Sequence, residues 1–163
     1  MRALSKALFT LAIASVLTGT LSCTKSNNST SSTTPTPTFS ATINGSNPGV
    51  WTVTGGTNSG LITINGAGAG GVTVGLEISA INTGTYQLGA PGGNAGVYGT
   101  SSPGTTSYTT TGTSPYVGTL TITTYNTSTK TISGTFSFTA QENYPNSTGT
   151  ATITSGSFAN VIW

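Results

Sequence analysis

Histidine and aspartate are absent from the sequence, cysteine occurs once, and charged side chains make up only 4% of 163 residues. Each absence excludes a chemistry. Without histidine there is no Ser-His-Asp or Cys-His nucleophile and no histidine-ligated zinc. Without aspartate, a calcium loop of the EF-hand kind loses most of its oxygen ligands. A lone cysteine, Cys23, forms no internal disulfide. No cofactor or metal site is expected.

The scarcity of charge also limits partners, since a typical soluble domain carries roughly 25% charged residues. The cations are Arg2, Lys6, Lys25 and Lys130, and the anions are Glu77 and Glu142. Removal of the first 22 residues would take Arg2 and Lys6 with it, leaving two charges of each sign. The sequence pI of about 8.9 therefore belongs to the precursor. A neutral domain with one internal lysine cannot displace counterions from a run of phosphates, which excludes nucleic acid as a partner. Attraction to anionic lipid through a basic patch fails for the same reason.

Polarity is instead supplied by serine, threonine and the backbone, with 23 glycines. Arg2 and Lys6 precede an uncharged apolar run, Ala7 to Leu17, which is too short to span a bilayer comfortably. That pairing reads as a signal peptide covering residues 1–22. Cys23 follows Thr20-Leu21-Ser22, an order that resembles the loose lipobox of Bacteroidota lipoproteins, although Thr20 stands where an apolar residue is usual. The resemblance implies that Cys23 is acylated and that the protein is held to a membrane by lipid. Several acyl chains anchor firmly where one alone binds marginally. An incidental thiol beside an ordinary cleavage site is the alternative. Residues 23–38, rich in Ser, Thr and Pro, read as a tether. The expected location is the bacterial outer membrane, with the final leaflet open.

From Phe39 to Trp163 the apolar period is two. Val72, Val74, Leu76, Ile78 and Ala80 share one side of a strand, with Thr73, Gly75, Glu77 and Ser79 on the other. Leu120 and Ile122 alternate with threonines, as do Ile132, Phe136 and Phe138, and the turn formers of Tyr125–Thr131 predict a hairpin between these runs. Further strands are expected at Phe39–Asn44, Val50–Thr54, Leu61–Asn65, Thr85–Leu88, Thr148–Thr154 and Ser157–Trp163. Gly89 to Ser114, punctuated by Pro91-Gly92-Gly93 and Ser102-Pro103-Gly104, reads as irregular. About eight antiparallel strands without a helix predict an all-β domain over 39–163, a β-sandwich or a flattened β-barrel.

The segments Phe39–Gly45 with Trp51, Thr83–Leu88, Gly118–Thr123, Ile132–Phe138 and Ala151–Phe158 together resemble an uncharacterised family of Bacteroidota lipoproteins. That resemblance implies fold and location, and carries no assigned reaction.

Few residues remain for chemistry. Glu77 and Glu142 are the carboxylates available for glycoside hydrolysis, which needs such a pair about 5–9.5 Å apart. Gly66-Ala-Gly68-Ala-Gly-Gly71 matches a dinucleotide-binding spacing, but a strand follows it where the mechanism needs a helix N-terminus. It therefore reads as a hairpin loop. Tyr98, Tyr108, Tyr116 and Tyr144 lie in or beside predicted loops and offer apolar faces with polar tips suited to sugar rings. The opposing expectation is that they cap the core. Thr119, Thr121 and Thr123, set beside Thr131, Ser133 and Thr135, would form a hydroxyl array on a solvent face. The sequence thus predicts a non-enzymatic envelope module, its partner a neutral glycan or an envelope protein, with a Glu77/Glu142 hydrolase as the alternative.

Overall fold

A computed structural model describes residues 34–79, 82–90, 93–101, 104–111, 118–145 and 147–163. The leader, Cys23, most of the tether, Ala80 and Tyr116 lie outside the described residues. Ten strands follow one another: β1 (Thr38–Ile43), β2 (Trp51–Asn58), β3 (Leu61–Gly68), β4 (Val72–Ile78), β5 (Gly84–Leu88), β6 (Ala95–Thr100), β7 (Thr106–Thr109), β8 (Gly118–Asn126), β9 (Thr131–Glu142) and β10 (Thr150–Ile162). β1 starts at Thr38, the last residue of the stretch read as tether.

Every named strand pair is antiparallel, and the ladder runs β1-β10-β9-β7-β6-β4-β3-β2, with β8 and β5 branching from β9. The branch is made by β9 itself. Its residues Thr131 to Phe138 pair with β8, whereas Gln141 and Glu142 pair with β7. One long strand therefore belongs to two layers. The front layer is β5-β8-β9-β10-β1 and the back layer is β7-β6-β4-β3-β2. At the far side β2 returns to β10, where Gly55 lies against the Ile162 carbonyl and Val161. The result is a two-layered, nearly closed sheet that combines the expected sandwich with the flattened barrel.

The period-two reading places the core correctly. Phe136 and Phe138 are 4% and 3% exposed, while Ser137 between them faces solvent. Four phenylalanines, all in the front layer, meet through their rings. Phe136 lies 5.5 Å from Phe39, 6.1 Å from Phe138 and 6.3 Å from Phe158. The back layer answers with Ile62, Ile64, Val74, Leu76 and Ile78, all buried. It also supplies two glycines at the ring positions. A Cβ on Gly66 would collide with the Phe39 ring, and one on Gly96 would come within 2.7 Å of Phe138. These glycines are strand residues whose missing side chain lets an opposing ring close the gap between layers.

Turn chemistry fixes the hairpins. Ser59 and Gly60 both take positive φ (51° and 84°) between the paired residues Asn58 and Leu61, the mirror-image turn that suits twisted strands. In the predicted β8–β9 hairpin, Asn126 Oδ1 accepts hydrogen bonds from the Ser128 and Thr129 amides, both at 2.9 Å. Gly66 to Gly71 ends β3, makes a short 3-10 turn at Ala69–Gly71 and leads directly into β4, so the glycine-rich spacing is a hairpin as expected.

Two expectations are corrected. The stretch Gly89 to Ser114 is not irregular throughout, because β6 and β7 lie inside it. Gly96 and Gly99 dilute the apolar pattern of β6; Gly96 does so because Phe138 occupies the space its side chain would fill. The two strands expected at Thr148–Thr154 and Ser157–Trp163 are one strand, β10, with a register shift between Ile153 and Gly156. Ser155 takes φ 51° there, so what reads as a break is a bulge.

Candidate functional site

The three described tyrosines, Tyr98, Tyr108 and Tyr144, do not assemble into an exposed cluster. Tyr98 is 9% exposed and belongs to the core; its ring sits 5.3 Å from that of half-buried Tyr108, directly opposite on β7. This pair covers the core where the back layer meets β9. Burial, and secondarily the neighbouring Tyr108, push the Tyr98 hydroxyl above its ordinary pKa of 10. Tyr98 thus offers no open stacking face, which corrects its assignment as a ligand platform. Tyr144 is 74% exposed in the β9–β10 loop. Tyr116 is outside the described residues.

The two glutamates are separated by the register. Val74, Tyr98, Tyr108 and Glu142 stand in one row across β4, β6, β7 and β9. Glu77 lies three residues farther along β4, with the opposite side-chain parity. At ~3.3 Å per residue and ~4.8 Å per strand the two Cα atoms are about 17 Å apart, on opposite faces of the sheet. Glycoside hydrolysis uses carboxyl groups roughly 5–9.5 Å apart, so this pair is not assembled for it. Glu142 instead closes its own loop. Its carboxylate accepts a hydrogen bond from the Ser147 hydroxyl, and its amide donates to Gly149 O at 2.9 Å. Among the described residues no group of three or more His, Cys, Asp or Glu stands together.

The buried polar side chains Asn94 and Thr110 are likewise ties between strands. Thr110 Oγ1 accepts from the Gly96 amide and the Thr110 amide donates to Gly96 O, both at 2.9 Å. Asn94 Oδ1 accepts from the Ser79 amide at 2.9 Å, and Asn94 O accepts from the Gly89 amide at 2.8 Å. Neither points to a ligand.

The outer face of the front layer is the distinctive surface. Threonine and serine occupy most outward positions of β8, β9, β10 and β1, with Gln141, Ala159 and the exposed Ile162 among the exceptions, and Thr85 and Gln87 extend the face across β5. The expected hydroxyl array is present with a shifted register: Thr121 stands opposite Thr135 and Thr119 opposite Ser137, while a ladder irregularity follows Ile122 and leaves Thr123 without a partner in the register. Among the described residues, no charged side chain lies on this face. Glu77 is on the back layer, Lys130 is in the β8–β9 turn with its Nζ 4.3 Å from the Trp163 ring, and Glu142 is in its loop clasp.

This face is grooved. A concavity of about 390 Å³ is lined by the hydroxyls of Thr119, Ser137, Thr139, Thr152 and Thr154 and by Gln87, together with the buried Phe138 and Ile153. A second, of about 310 Å³, is lined by Thr119, Thr121, Thr135, Ser137, Ser155 and Ser157, together with the buried Phe136 and Gly156. Both contain Thr119 and Ser137, so they form one shallow trough that straddles β9 between β8 and β10. The β10 bulge at Ser155 and Gly156 lies beside Ser137. The sequence signal for this surface was available in the Thr-x-Thr and Ser-x-Ser alternation, but its concavity was not.

Residues 35–162 match a family defined by a domain of unknown function (DUF6252). No curated protein and no solved structure matches the chain.

Proposed function

The chain belongs to the DUF6252 family, and we propose that in this member the domain is a non-catalytic binding module, tethered to a bacterial envelope membrane and directed at a neutral glycan. The proposed order is a leader over residues 1–22, an acylated Cys23 in the outer membrane, a Ser/Thr/Pro tether to residue 38, and the all-β domain beyond it. The reading of the N-terminus rests on the sequence pattern and on its resemblance to Bacteroidota lipoproteins.

The observation that carries the binding reading is the broad outer sheet face on which every polar group is a hydroxyl, an amide or the backbone. A hydroxyl both donates and accepts, which matches a polyol and gives no advantage to an ion. The missing nucleophile–base pairings and the separated glutamates favour holding over cutting.

Expression of the full chain and of Cys23→Ala in a diderm bacterium tests the anchor. The parent is expected in the membrane fraction with incorporated palmitate, and the variant in the soluble envelope fraction without it. A Cys23→Ala protein that stays in the membrane fraction would refute the lipid anchor.

A further inference from the structure

We infer that the trough over β9 binds an internal stretch of one extended, uncharged polysaccharide chain, with Ser137 at the centre of contact. This rests on the neutral-glycan reading and adds to it a site and a form of ligand.

The trough has the shape for such a ligand. Its two concavities share Thr119 and Ser137 and lie end to end along β9, from Thr139 and Thr152 to Thr135 and Ser157. Thr135 to Thr139 alone spans about 13 Å at ~3.3 Å per residue. Thr and Ser make up five of the nine residues that line the first concavity and six of the eight that line the second; the others are Gln87, two glycines and the buried Phe136, Phe138 and Ile153, and no charged group marks one end as a terminus. A surface of this kind takes the middle of a chain.

Hydroxyls around the trough are paired with each other: Thr85 Oγ1 with Thr121 Oγ1 at 3.1 Å, Thr139 Oγ1 with Thr152 Oγ1 at 3.5 Å, and Ser40 Oγ with Ser157 Oγ at 2.9 Å. Among the described residues, Thr119, Thr135, Ser137 and Thr154 have no such partner for their side chains. Each of those pairs uses one donor and one acceptor site, whereas the unpaired Thr119, Thr135, Ser137 and Thr154 keep their full capacity for a ligand's hydroxyls.

Other occupants fit poorly. A protein partner is held mainly by buried aromatic, aliphatic or arginine anchors. The large apolar side chains exposed among the described residues are Val50, Tyr144 and Ile162, and none lines the trough. A polyanion would find no cation here. An ordered water lattice such as ice would need an unbroken grid, but the ladder shifts at Ile122/Thr124, Ile153/Gly156 and Phe158/Val161 interrupt it.

The test uses the full chain in detergent, pulled down on insoluble linear β-1,4-glucan, β-1,3-glucan and β-1,4-mannan, with carboxymethylated β-1,4-glucan as the charged counterpart. Binding to at least one neutral polymer and not to the charged one is expected. Ser137→Glu and, independently, Thr119→Glu should weaken binding at least tenfold. Thr52→Glu, the same charge on the outer face of the back layer, should change it less than twofold, with thermal melts verifying that each variant folds. Oligosaccharides with a blocked reducing end should compete as well as unblocked ones. Unchanged binding by Ser137→Glu and Thr119→Glu, with loss in Tyr144→Ala, would overturn the trough and leave the glycan reading standing. Dependence on a free chain end would overturn the internal mode. Failure to bind any neutral polymer would remove both proposals, and Ser137-dependent inhibition of ice growth in its place would assign the face to ordered water.

Discussion

The two layers of this domain are made from similar residues but divide the labour of packing. The front layer contributes all four phenylalanines of the domain, on β1, β9 and β10. The back layer contributes aliphatic side chains and the glycines that receive two of those rings. Their outer faces differ as well. The front face is hydroxyl-rich and grooved, whereas the back face carries Glu77, Val97, Asn65 and the glycines Gly75 and Gly99. A complementary interior thus leaves the front strands free to present a polar lattice, because their bulk points inward, save Ile162 at the end of β10.

This asymmetry can be broken from either side. Phe136→Ala should have the largest effect, about 3–5 kcal/mol of lost stability, since its ring contacts Phe39, Phe138 and Phe158. Urea denaturation measures it, and a loss below about 1 kcal/mol would mean that the ring cluster is not the core's centre. Gly66→Ala attacks the same contact from the back layer. A methyl group there overlaps the Phe39 ring, and a loss of about 1–3 kcal/mol is expected. The cost should shrink in a Phe39→Leu background, and a double-mutant cycle with no coupling would contradict the interlayer contact.

The smallest effect concerns the back layer's own aromatic pair. The Tyr98 hydroxyl titrates above its ordinary pKa of 10 when folded, so the folded state holds this proton more tightly than the unfolded state. The stability it contributes is complete below pH 10 and is lost as pH rises from there through the raised value. Denaturation midpoints should therefore fall as pH rises above 10, less steeply in Tyr98→Phe. Equal slopes in parent and variant would show that Tyr98 is not the group responsible.

The sequence was most legible where one residue in two points into a full core. β4, β8 and β9 alternate at their buried positions, and Asn126 announces the turn between the last two. It was least legible where one strand's bulk fills another strand's gap. Gly96 reads as punctuation because its missing side chain is explained by Phe138, 42 residues away. Ser155-Gly156 reads as a strand break because a bulge has the same composition as a turn. Tyr98 was hard to place for a related reason: it sits among glycines and prolines in the sequence, yet its register partner Tyr108 and its strand parity turn it inward. The trough could not be foreseen, since concavity depends on how β8, β9 and β10 curve together.

The position of Phe39 has a mechanical consequence. It is the second residue of β1, and its ring is wedged between Trp51, at 5.1 Å, and Phe136, at 5.5 Å. Any pull arriving through the residues before Thr38 therefore reaches the interior within a single residue, without first peeling away a loose surface segment. Under the proposed lipid tether, drag on this end would be resisted until the aromatic cluster itself gave way.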